Sequence, residues 1–238
     1  MKKIKIAIYC FIIITSVLKV HSQSKKVKKL KKEYIESGIL KVNNIVLPII
    51  KWENKDTLKY HVEGEFKYMS DKKWNRFLNS IEKLIDIKIV KTEDLYDSDI
   101  KIFFGELTKY FNDCNINFPK NIISDKSDSW SNRKYNKQKQ LISTSYCIVP
   151  SKTRDFKRGQ FNLKKLFLKS LGLLGEVKSE YSLFYKHQTD GNSQFKKRDK
   201  RIVKIHYNKT IKAGMTTREV NSVLNELDLE KLLKEKLK

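Results

Sequence analysis

Glycine and proline are scarce in this chain, 8 and 3 among 238 residues, which excludes collagen-like and proline-rich architectures. Acidic residues are the minority, 27 Asp+Glu against 51 Lys+Arg. Histidine numbers four and cysteine three. The apolar run at residues 6–18 is 13 residues long, short of the about 20 that a bilayer-spanning helix needs. There is no G-x-S-x-G elbow, no P-loop and no G-x-G-x-x-G, so three common catalytic and nucleotide-binding signatures are missing. No internal repeat of solenoid length is visible either.

What is present is enough to fold. Hydrophobic residues make up 39% of the chain and aromatics 11%, so a core can form and wholesale disorder is excluded. The length suits one domain with extended ends. A formal net charge of +24 favours anionic partners or surfaces and says nothing about fold.

Residues 1–22 have the layout of a secretory signal peptide. Lys2, Lys3 and Lys5 precede the apolar run, and Val20-His21-Ser22 offers cleavage chemistry before Gln23. Cys10 lies in the middle of the apolar run rather than at its end, which speaks against lipidation there. Four lysines and no acids leave with this segment, so 47 basic and 27 acidic residues remain, a net of +20. The expectation is an exported protein, periplasmic, secreted or associated with the cell surface, with no transmembrane span after cleavage. Cys114 and Cys147 then remain, and in an oxidising compartment they either pair or stay as separate thiols.

Residues 25–32 carry six lysines in eight positions and read as a basic arm, so residues 23–38 are expected to be a linker and order to begin near Ile39. Leu58, Tyr60 and Val62 alternate with Lys59, His61 and Glu63, the period of a half-buried strand. Ser70 is a candidate N-cap for a helix whose apolar face is Trp74, Phe77, Leu78, Ile81, Leu84 and Ile85. Residues 87–90, 100–104 and 141–149 read as strands, and the polar stretch 125–140 as a long loop. Asp97 and Asp99 read as capping and edging the strand that follows them. A second helix is expected over 161–174, with Leu163, Leu166, Phe167, Leu171 and Leu174 buried and Lys164, Lys165 and Lys169 off that stripe. Residues 199–207 permit helix or strand by period. Thr216-Thr217-Arg218-Glu219 fits a capping box, and residues 227–238 form a charged terminal helix or tail. The fold class is α+β.

Several of these segments, in this order, resemble zincin-like metalloprotease domains of the metzincin type. A strand–helix–strand opening leads to Asp99-Ile100-Lys101-Ile102-Phe103. The next helix ends in Leu171-Gly172-Leu173, similar to the L-G-L that follows the second histidine of H-E-x-x-H. Ser182-Leu183-Phe184-Tyr185 is similar to the Met-turn, with Phe184 at the methionine position. Residues 199–207 look like the closing helix, which favours helix there. The stretch 199–219, with its closing G-M-T, resembles the end of a bacterial exported family, domain-of-unknown-function family 2927. The resemblance implies a small mixed sheet with packed helices over residues 39–226.

It also implies a lost metal site. The two histidine positions fall on Lys165 and Lys169, the catalytic glutamate on Leu166, and the third ligand position on Gly175. Two ammonium groups at i and i+4 repel a cation, and Leu166 cannot move a proton. His61, His187 and His206 lie on separate segments without ligand spacing. No cofactor or metal is expected, and the chain reads as a non-catalytic binding or scaffold module. The alternatives are a metal-dependent hydrolase with a site relocated to His187, His206 or Glu176, and a protein that binds polyanions through its basic clusters. Anionic surface polymers and lipid head groups are the partners such clusters fit; nucleic acid is disfavoured by export and by the lack of a motif.

Overall fold

The computed structural model describes residues 24–43, 45–117, 127–185 and 194–237. The expected signal segment and His187 lie outside these residues.

Five strands form one mixed sheet: β3 (Thr57–Glu63), β4 (Lys88–Lys91), β5 (Ile100–Phe104), β6 (Ser129–Tyr135) and β7 (Leu141–Ile148). Their order is β4-β3-β5-β7-β6. The first four run parallel and β6 alone is antiparallel, on the edge beside β7. A separate two-residue ladder joins β1 (Lys41–Val42) to β2 (Ile45–Val46). The expected alternation of β3 holds in its first half, where Leu58 and Tyr60 are buried in the core and Lys59 pairs with Asp97 in solvent, but it fails beyond, where His61 is buried as well and Val62 is only half-buried. Asp99 accepts the Lys59 backbone N–H at 2.9 Å, the strand-edging role foreseen for it.

The two faces of the sheet bury different amounts. Ile100, Ile102 and Phe104 of β5 and Tyr146 and Ile148 of β7 enter the large core with most of the helices. Phe103, Cys147 and Val149 point the other way, into a small cluster roofed by Leu107, Tyr110 and Phe111 of α3 (Leu107–Asp113). Helices gathered on one face of a mixed sheet make this an α+β domain.

On the large face, α2 (Asp71–Ile85) buries the six residues that its spacing predicts, with Ser70 at its N-cap. The Trp74 ring meets Phe167 of α4 (Phe156–Ser170) edge-on at 5.2 Å, an arrangement that the ring quadrupoles favour. The strand-or-helix ambiguity at 199–207 resolves as helix α5 (Lys197–His206). The capping box forms as expected and opens α6 (Thr217–Glu226), and the charged terminus contains α7 (Leu229–Lys234).

Three expectations are corrected. The stretch expected as a linker is not one from residue 25 on: α1 (Lys25–Gly38) is a packed helix with Val27, Leu30 and Tyr34 in the core. Its lysines at 25, 26, 28, 29 and 32 are exposed, and the apolar residues between them recur every three to four positions. Like-charge density masks that stripe. The polar stretch 125–140 is not all loop, because residues 129–135 are β6; an edge strand needs no hydrophobic run, since one side of it faces solvent. The helix expected over 161–174 starts at Phe156, where the Asp155 carboxylate accepts the Arg158 N–H at 2.8 Å, and it stops at Ser170.

Candidate functional site

The end of α4 is fixed by Gly172. Its φ is +96°, and a Cβ there would stand 1.8 Å from the Ile50 carbonyl oxygen, so only glycine can make this turn. Gly175 is equally confined: its N–H donates to Ser37 O at 2.8 Å, and a Cβ would stand 2.0 Å from Glu36 O. The chain is thereby pinned against α1 and returns Glu176 beneath the helix that it has just left.

Lys165 and Lys169 lie one turn apart on α4, and both donate to the same oxygen. Lys165 Nζ is 3.0 Å and Lys169 Nζ 3.1 Å from Glu176 Oε1. Lys165 also donates to the Tyr185 carbonyl at 2.7 Å. Against expectation Lys165 is buried, 3% exposed. The helix presents it inward beside Leu166 and Phe161, and the carboxylate and carbonyl compensate its charge. Burial pulls its pKa down to about 8, with the Lys169 charge adding to the effect. Burial pushes the Glu176 carboxyl up, but Lys169 and Lys165 outweigh it and hold the group below its usual range.

The Met-turn-like segment closes over this ion-pair triad. Ser182 Oγ donates to Asp199 Oδ1 at 2.5 Å, the Leu183 N–H donates to Asp199 Oδ2, and the Phe184 N–H donates to Ser182 Oγ. Val177 N–H donates to Phe184 O at 2.8 Å, which ties the segment to the strand of chain just after Glu176. Phe184 fills the core. Asp199 is fully buried, and its carboxyl is pushed up to about 6 by burial, with Ser182 opposing the shift.

A cleft of about 300 Å³ opens between β6 and α4, lined by Ser129, Trp130, Ser131, Asn162, Lys165, Leu166, Lys169 and Glu176. Asn162 is 1% exposed; its Nδ2 donates to Asp128 Oδ2 at 3.1 Å, and its buried Oδ1 has no partner among the described residues. Leu166 packs in the core. The structure thus brings together Lys165, Leu166, Lys169, Gly172, Gly175, Ser182, Phe184 and Tyr185, which are separated by up to 20 positions in sequence.

Of the described histidines, His206 packs against Gly172, where a Cβ would stand 3.1 Å from its Nε2, but neither it nor His61 hydrogen-bonds to Lys165, Lys169 or Glu176. His206 is buried: its Nε2 lies 3.2 Å from Ile50 O, which can only accept, so Nε2 carries the proton and Nδ1 accepts from Tyr34 OH at 3.4 Å. Burial, with the Lys51 charge nearby, drives its pKa down to about 3, which keeps it neutral. His61 sits on β3 facing the Thr92 carbonyl and Glu63. Among the described residues no three His, Cys, Asp or Glu side chains converge as metal ligands would. Cys114 and Cys147 are separate thiols in the small cluster under α3; Cys147 Sγ donates to Gly105 O at 3.4 Å, and burial pushes that thiol up to about 12.

Of the residues that line the cleft, Asn162 escaped sequence reasoning, and Glu176 was named only as a possible relocated metal ligand. Asn162 gave no signal beyond its place one turn before Lys165 on the inner face. Glu176 was visible as the nearest carboxylate, but its partners became evident only when Gly172 and Gly175 folded it back. No protein-family model matches the chain, and no curated protein does.

Proposed function

We propose that this chain is an exported, non-catalytic binding module on a zincin-like framework, in which a lysine–glutamate–lysine triad stands where a catalytic metal would. The observation that carries this reading is the shared Glu176 oxygen, bound by both Lys165 and Lys169 at the two positions that histidines would occupy. The order of elements supports it as well: a parallel strand–helix–strand opening, the Asp99-Ile100 strand, an antiparallel edge, and then the helix that stops at Ser170, just before Gly172. The helical state of residues 197–206 and the anchoring of the Ser182 segment to Asp199 fit the same framework.

Two ammonium groups and one carboxylate leave a net positive charge, which opposes a divalent cation by simple Coulomb repulsion. Leu166, at the glutamate position, has no proton to give or take. Export rests on residues 1–22; among the described residues no helix is long and apolar enough to cross a membrane. The reading is tested by incubating the purified chain with unfolded protein substrates, with and without a chelator. Equal, background cleavage in both arms is expected, and chelator-sensitive cleavage would favour a relocated metal site.

The exposed lysines of α1 favour a second reading, polyanion binding through basic surfaces. Binding to an anionic polymer that collapses as salt rises would support it.

A further inference from the structure

The ladder of β1 and β2 stands outside both cores. All four of its residues are exposed, and Val42, Ile45 and Val46 are 47%, 64% and 47% open to solvent. Single apolar residues on a surface need no explanation, but these are held together by register, Val42 opposite Ile45 and Val46 opposite Lys41. Successive residues of a strand face opposite sides, so Val42 and Ile45 lie on one face of the ribbon and Val46 on the other. The Leu47 N–H donates to Leu40 O at 3.0 Å and ties the base of the ribbon, where Leu40 packs on the main core.

The surroundings of that base are cationic. Residues 37–52 contain no Asp or Glu. Two other segments meet the chain at Ile49, shortly after Val46. The Ile49 N–H donates to Met215 O at 2.9 Å, its carbonyl accepts the Gly214 N–H at 2.8 Å, and a Cβ on Gly214 would stand 3.2 Å from Gln138 O. Each of the three segments brings an exposed lysine, Lys41, Lys212 and Lys137. The neighbouring carboxylates Glu36, Glu53 and Glu176 are committed. Glu53 accepts from the Ala213 N–H and the Gln140 amide, Glu36 is paired with Lys32, and Glu176 with Lys165 and Lys169.

We propose that this ribbon docks the chain on an anionic lipid bilayer, with Val42, Ile45 and Val46 in the interfacial region and Lys41, Lys137 and Lys212 on the lipid head groups. The aliphatic side chains point to lipid. An anionic polymer offers them nothing apolar, and a protein laid on the ribbon covers one face, whereas a bilayer surrounds an inserted tip on both. The lysines point to an anionic leaflet, whose surface potential attracts basic residues close to it. Lys41 buries its alkyl stem opposite Val46 while its ammonium stays with the head groups. The inference deepens the polyanion reading by naming the surface bound, and it does not rest on the triad of Lys165, Glu176 and Lys169.

The test is flotation with vesicles of phosphatidylcholine alone and of phosphatidylcholine with about 30% phosphatidylglycerol, at physiological salt. The protein is residues 23–238, the form left by the expected cleavage, because the apolar run at 6–18 would itself enter any bilayer. Binding to the anionic vesicles at least about tenfold tighter than to the neutral ones is expected. Val42→Ser combined with Ile45→Ser should weaken it about tenfold or more, with the melting temperature nearly unchanged because both side chains are largely in water already. Lys41→Gln combined with Lys212→Gln should weaken it and make it less sensitive to salt. Ile45→Trp should add a blue shift in fluorescence when anionic vesicles are present. The proposal is overturned if anionic vesicles are not bound at about 1 mM lipid, if neutral vesicles bind equally, or if the double serine variant binds as the wild type does. Salt-sensitive binding to dextran sulfate in that event would leave the polyanion reading standing. A concentration-dependent dimer that the serine variant abolishes, without vesicle binding, would also overturn it and assign the ribbon to a second copy of this chain.

Discussion

The Lys165 ammonium lies 3.0 Å from Glu176 Oε1, and it reaches that oxygen from inside the core, while Lys169 reaches it from the solvent side. The pair is therefore asymmetric. Lys165 depends on Glu176 for compensation, whereas Lys169 can turn to water.

That asymmetry sets the cost of breaking it. Glu176→Ala leaves Lys165 buried with only the Tyr185 carbonyl and should destabilise the fold by about 1–3 kcal/mol in urea melts. Lys165→Met, which removes the buried charge and keeps the volume, should cost less than Glu176→Ala. In the double variant the two losses should not add.

Gly172→Ala should be far more damaging than its size suggests. It forces a Cβ to 1.8 Å from Ile50 O at a φ of +96°, so a loss of about 3 kcal/mol or more, or failure to fold, is expected from circular dichroism melts.

Acid sensitivity should trace mainly to His206. Its folded pKa of about 3 lies below the ordinary 6.5, so its stabilising contribution is complete above about 6.5 and is lost as pH falls toward 3. Asp199 works in the opposite sense: its folded pKa is raised from 3.8 to about 6, so its contribution is complete below about 3.8 and is lost as pH rises through 6. The His206 shift is the larger, so the chain should weaken on acidification from pH 6.5 to 4. His206→Gln should flatten that limb, and the wild-type imidazole should show no titration between pH 5 and 8 by nitrogen NMR.

How much of this was legible beforehand depends on how local each signal was. The six buried residues of α2 and the Thr216–Glu219 capping box follow from spacing alone, because a helix face and a cap are decided within a few residues. The strand β6 and the helix α1 were not legible: β6 is a polar edge strand whose partner β7 follows it directly, and α1 hides its apolar stripe among lysines and packs on α5, far away in the sequence. The site was half legible. The order of the L-G-L, S-x-F-Y and closing-helix segments marked where Lys165 and Lys169 would sit. That Lys165 would be buried, and that Glu176 would join both lysines, required the return of the chain through Gly172 and Gly175.

Helix α1 should prove integral to the fold. Tyr34→Ala removes a fully buried ring and the hydroxyl that donates to His206, and should cost about 3–5 kcal/mol. Tyr34→Phe, which loses only the hydrogen bond, should cost about 1 kcal/mol. Equal small effects from both would mean that the segment is the linker its charge suggests.

The thiols should report the small core. Alkylation of the denatured chain without reductant should modify both Cys114 and Cys147, while in the native state Cys147 should resist a thiol reagent at pH 8, because burial holds it protonated.

The central claim, that an ion-pair triad occupies the place of a metal, is tested most directly by elemental analysis of the purified chain after dialysis without chelator. Less than about a tenth of an equivalent of zinc, iron or manganese is the result the triad predicts. A full equivalent that survives dialysis and is lost in Glu176→Gln would contradict it, because Glu176 would then be a ligand rather than the partner of two lysines.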